Sequence, residues 1–143
     1  MLILACCLAA HVFSAGVIAS PWWVPNFTLV GLIVTVTRRP GQWMWLSGAA
    51  GLLTIVWAAR FPQQILVGYL GLGCLVQWLA RQWDVGDWRV QCALVGIAAL
   101  LMSLGALWLE DLWSLCLLGL AAAQVMMTVI AVPFVRRLAR SMR

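Results

Sequence analysis

Six apolar runs, none with an ionised residue in its interior, occupy almost the whole of this 143-residue chain. The hydrocarbon core of a bilayer is about 30 Å thick, and a helix crosses it with about 20 residues, within a range of about 17 to 25. The runs approach that length. They extend from Leu2 to about Ala19, Asn26 to Thr37, Gln42 to Ala59, Pro62 to Ala80, Trp88 to Leu109 and Leu112 to Val135. The breaks between them and the tail hold three of the five prolines and all but one of the charged residues. Charged residues make up only 9% of the chain, against about 25% in a soluble domain, so too little charge exists to cover a globule in water. The runs are long and lack the period-two alternation of a membrane barrel, and an open sheet in lipid would leave backbone groups unpaired. The expected fold is therefore a single all-α integral membrane domain of six transmembrane helices, residues 1–143, ending in a short basic tail over 136–143.

The arginines orient the layout. All nine basic residues are arginine, and the formal charge is +5. With six spans, Arg38, Arg39, Arg81, Arg89 and the four tail arginines share one side, and only Arg60 lies opposite, with Glu110 and Asp111. Basic residues stay cytoplasmic, which predicts both termini on the cytoplasmic side. The ten tryptophans agree, because each lies near an expected span end, where an indole keeps its body in apolar surroundings and its N–H near water. A signal-peptide reading of the first run, with Ala15, Gly16 and Ala19 near a cleavage site, lacks the basic n-region, and an uncleaved span is expected. The short second run calls for tilt, or for Trp22 and Trp23 to extend it.

The arginines form no continuous basic face, so no nucleic acid is expected, and anionic lipid is the expected counter-charge for Arg136, Arg137, Arg140 and Arg143. Cys6, Cys7, Cys74, Cys92 and Cys116 all lie in apolar runs without CxxC spacing and read as small apolar residues. His11 stands alone in its run, without the partners that acid–base or nucleophilic chemistry needs. No enzyme activity, metal or cofactor is expected. Uncharged polar residues do enter the spans, among them Thr35, Thr54, Gln77, Gln91, Ser103, Gln124 and Thr128. Gln124 is the deepest, and its amide should bond a neighbouring helix, at about 0.6 to 2 kcal/mol. Small residues at Gly48 and Gly51, and at Gly68, Gly71 and Gly73, let a second backbone approach closely. The third and fourth spans should pair as an antiparallel hairpin or receive a partner's helix. Pro25-Asn26 opens the second span at the outer side, with Asn26 as an N-cap.

The arrangement resembles the rod-shape-determining protein MreD family. The resemblance rests on the outer start Pro25-Asn26-Phe27, the turn Arg38-Arg39-Pro40, the glycine-rich third and fourth pair, and the end Pro133-Phe134-Val135-Arg136-Arg137-Leu138. The chain departs from the family late in the third span, where Thr54 to Ala59 holds no acid. The resemblance implies a six-helix bundle similar to the substrate-binding subunits of energy-coupling-factor transporters, in a bacterial inner membrane. It also implies a non-enzymatic scaffold of the elongasome that binds the single-pass protein MreC and couples MreB filaments to peptidoglycan synthases. The alternative is a substrate-binding membrane subunit of a vitamin transporter, which needs a polar pocket facing outward.

Overall fold

The computed structural model describes residues 2–17, 24–57, 62–84, 86–109, 111 and 113–141. Six α-helices follow in order: α1 Leu2–Val17, α2 Phe27–Arg38, α3 Trp43–Trp57, α4 Pro62–Leu79, α5 Trp88–Leu109 and α6 Leu115–Ser141. A 3₁₀ turn over Pro40–Gln42 joins α2 to α3, and no strand occurs among the described residues. Trp22, Trp23, Arg60, Glu110 and Arg143, named above, lie outside the described residues.

Local chemistry sets the ends of these helices. Asn26 caps α2, its side chain accepting from the Leu29 N–H at 3.0 Å. Proline opens α4 at Pro62, where its missing N–H costs nothing. After α5, Asp111 sits at φ 53° and donates its N–H to the Trp108 carbonyl; a short polar side chain tolerates this left-handed position.

Two helices, α5 and α6, are long and apolar enough to cross a membrane, each with a mean hydropathy of 2.3 over its best 18 residues. Of those stretches, 33% in α5 and 22% in α6 is buried, so most of this apolar surface faces outward rather than into a core. The other four helices are shorter or more polar. The helix α2 has 12 residues, about 18 Å at 1.5 Å per residue, which falls short of a full crossing.

The shortest apolar helix is nevertheless the centre of the bundle. Three antiparallel hairpins form, α1 with α2, α3 with α4, and α5 with α6, and α2 also packs on α3, α4, α5 and α6. Every residue from Thr28 to Val36 is buried. A helix apolar all round has no face to give to solvent and settles inside. Around it lie Leu4 and Cys7 of α1, Leu46 and Ala50 of α3, Tyr69 and Leu72 of α4, Leu94, Val95 and Ala98 of α5, and Val132 and Val135 of α6.

Two expectations need correction. The basic tail is not a separate segment, because α6 continues six residues beyond Val135 to Ser141. Hydropathy ends where the arginines begin, but arginine is a good helix former. The second run also does not start at an end of the bundle. Asn26 is hydrogen-bonded to Thr128, thirteen residues or about 20 Å into α6, so α2 starts deep within the bundle.

Candidate functional site

A helix that starts at depth leaves its first N–H groups, and the carbonyls leading into it, without water. Each buried backbone group left unpaired costs several kcal/mol in hydrocarbon. Neighbouring side chains meet that demand here. The Asn26 N–H donates to Thr128 Oγ1 at 3.1 Å, and the Thr128 hydroxyl donates to the Gln124 carbonyl at 2.7 Å. The Gln124 amide reaches the Val24 carbonyl at 3.4 Å, and its Oε1 accepts from Ser103 of α5 at 3.4 Å. His11 of α1 places Nδ1 3.1 Å from the Pro25 carbonyl, a contact that requires the Nδ1–H tautomer. The Phe27 N–H folds back on the Pro25 carbonyl at 2.8 Å. Tyr69 of α4, 1% exposed, brings its hydroxyl within hydrogen-bonding reach of the Thr54 and Asn26 side chains. The other five helices thus gather polar groups around the start of α2. Among these groups the backbone between Val24 and Asn26 is the common acceptor and donor.

The other end of α2 carries a second polar assembly. Thr37 Oγ1 accepts from Gln91 Nε2 of α5 at 3.2 Å and donates to the Val34 carbonyl at 3.0 Å. Gln91 Oε1 receives Arg136 Nη1 of α6 at 3.4 Å, and Arg136 Nη2 donates to the Gly86 carbonyl at 2.8 Å. Arg38 Nη1 donates to the Ala139 carbonyl at 2.5 Å. One guanidinium of α2 and one of α6 therefore lock α2, α5 and α6 together at the arginine-bearing end. Beside this assembly lies a cleft of about 460 Å³ lined by Thr37, Pro40, Gln77, Arg81, Trp83 and Asp84. A smaller cleft of about 210 Å³ lies between Trp88 and the face of α6 that bears Val132, Pro133, Arg136, Arg137 and Arg140.

The glycines divide into two sets. Gly51 and Gly73 serve the α3–α4 hairpin: a Cβ on Gly51 would stand 3.0 Å from Leu66 Cδ1, and one on Gly73 would overlap the Ser47 hydroxyl. Gly68 faces Met102 of α5 at 3.6 Å. Gly48 and Gly71, like Gly105 of α5 and Gly119 of α6, meet nothing within 4 Å; Gly48 is half-buried and Gly71 exposed. They are bare backbone on the outside. The helices α1 and α2 approach closely at Gly31, where a Cβ would come 2.9 Å from Cys7 Cβ.

Three contributors escaped the sequence reading. Tyr69 is the single tyrosine of the chain, and its place amid an apolar run was the available signal. Gly31 interrupts an otherwise branched helix, which marks a close approach. Arg38 bonds backbone a hundred residues away, and nothing in the sequence announces that. Among the described residues no group of three or more His, Cys, Asp or Glu side chains is placed to hold a metal ion.

Comparison of the chain with family models, with curated proteins and with solved structures returns no match.

Proposed function

We propose that this chain is a six-span protein of the bacterial cytoplasmic membrane with both ends inside, acting as a non-enzymatic MreD-like scaffold. In this reading it binds an MreC-like single-pass partner and supports peptidoglycan synthesis by linking MreB filaments to the synthases. The observation that carries the proposal is the bare backbone at Gly48 and Gly71 on the α3–α4 hairpin, two of the four α-helical glycines that meet no neighbour. The glycines needed inside the hairpin, Gly51 and Gly73, are already used there. Gly48 and Gly71 add nothing to the fold and cost helix stability, about 0.5 to 1 kcal/mol each relative to alanine. A second helix lying against them would offset that cost, since small residues let helix backbones approach in a membrane. Around them α3 and α4 present Trp45, Leu52, Val56 and Val67 outward. The four shorter helices join the layout because they pack with α5 and α6 into one bundle, with α2 spanning about half its depth.

The polar groups gathered around Val24 to Asn26 also support a scaffold. They are engaged in holding the start of α2, where a transporter subunit would need them for its substrate.

Co-expression with an MreC-like single-pass protein and affinity purification tests the proposal. The wild-type chain should retain the partner. Gly48→Leu and Gly71→Leu should lose it while the purified variants melt no lower than the wild type, since leucine is the better helix former. Failure of the wild-type chain to retain the partner, or a vitamin-class small molecule found by mass spectrometry in the purified protein, rejects the scaffold reading.

A further inference from the structure

The cleft between Trp88 and α6 combines three features of a phospholipid site. First, its lining is graded. Val132, Arg136 and Arg140 recur every fourth residue and so form one stripe of the helix, with Pro133 and Arg137 alongside. Over about 12 Å along the axis the surface therefore passes from apolar to cationic. Trp88, 54% exposed at the first turn of α5, faces that gradient with an indole suited to the headgroup level. Second, one guanidinium is held in place: Arg136 is fixed from behind by Gln91 Oε1 and the Gly86 carbonyl. Third, the nearby charge is not neutralised. No carboxylate pairs with Arg137 or Arg140 among the described residues, and the loop acids Asp84 and Asp87 accept instead from the Gly86 and Arg89 N–H groups.

We infer that this cleft is a built site for one anionic phospholipid, with the phosphodiester held by Arg136, Arg137 and Arg140 beneath Trp88 and an acyl chain lying along Val132 and Pro133. The inference goes beyond general attraction of a basic segment to a charged surface, because it assigns one lipid to one set of residues. It rests on the membrane layout proposed above. The volume of about 210 Å³ suits a headgroup phosphate and its glycerol rather than a folded partner.

The test is native mass spectrometry of the full chain in neutral detergent, titrated with phosphatidylglycerol or with phosphatidylcholine. One phosphatidylglycerol should bind preferentially. Each arginine at a charged surface contributes about fivefold in affinity, so Arg137→Gln with Arg140→Gln should weaken binding at least tenfold. Arg137→Lys with Arg140→Lys should restore most of it. Arg39→Gln with Arg81→Gln removes the same charge from the same end of the bundle and should leave binding within about threefold. An equal loss in that control pair, or no loss in the Arg137 and Arg140 pair, overturns the site. So does displacement of the lipid by millimolar inorganic phosphate, which would make it a site for a soluble anion. Membrane fractionation of the same cells keeps the two readings apart. A chain in the soluble fraction sinks layout and site together, whereas a membrane-integrated chain without selective lipid binding sinks the site alone.

Discussion

Gly73 marks a close approach of α3 and α4. Its absent side chain is occupied by Ser47 of α3, whose Cβ would stand 2.9 Å from any Cβ placed there. A Cβ is fixed to its backbone, so the clash cannot be relieved by rotating the hydroxyl; the helices must separate. Gly73→Ala is expected to destabilise the protein by about 1 to 3 kcal/mol, the usual cost of overpacking. Ser47→Gly in the same chain should recover most of that loss, while Ser47→Ala should recover less, because it keeps the Cβ. Unfolding of the detergent-solubilised variants measures this, and an unchanged midpoint for Gly73→Ala would show that the hairpin is looser than described. The same reasoning separates the glycines that sequence spacing grouped together. Spacing marked all five as small-residue positions, but which ones face a neighbour depends on helix rotation. No pattern in an almost uniformly apolar segment fixes that rotation.

Helix α6 shows what hydropathy reads well and what it misses. The apolar run was legible in the sequence because its residues are hydrophobic. Its last turns were not, because Arg136 to Ser141 are four polar residues around Leu138 and Ala139, held in helix by the backbone and by contacts from afar. Those contacts have consequences. Removing residues 136–143 takes away the Arg136 bonds to Gln91 and Gly86 and the carbonyl that Arg38 uses. Hydrogen bonds to charged groups contribute about 1.5 to 3 kcal/mol each. The truncated chain should melt several degrees lower and should expose the α2–α5 junction to proteolysis. An unaltered melting temperature would mean that these guanidinium contacts contribute nothing to the bundle. The helix α2 was legible in its position along the chain and in its Asn26 cap, but not in its place at the centre. Its all-round Val, Leu and Ile surface did not single it out, because most other runs in the sequence are as apolar or more so.

At the scale of the molecule, the all-helical class and the count of six helices were readable from the apolar runs and their breakers. The mutual arrangement was not, since short connections fix only which helices are neighbours in sequence. The proposed sidedness is open to direct measurement. In a cysteine-free background, single cysteines at Gln42, Gln82 and Ser141 should react with a membrane-impermeant maleimide only in inverted vesicles. One at Asp111 should react only in intact cells. Gln42 and Ser141 on opposite faces would refute the layout. The position of α2 also bears on how the protein is made. Its two ends are tied to Thr128 and Ala139, partners 102 and 101 residues later in the chain. At about 5 to 20 residues per second, the ribosome needs roughly 5 to 20 s after finishing α2 to supply them. During that interval the future centre of the protein has α1 beside it and gains α3, α4 and α5 in turn, but both its ends stay untied until the final helix arrives as the last piece.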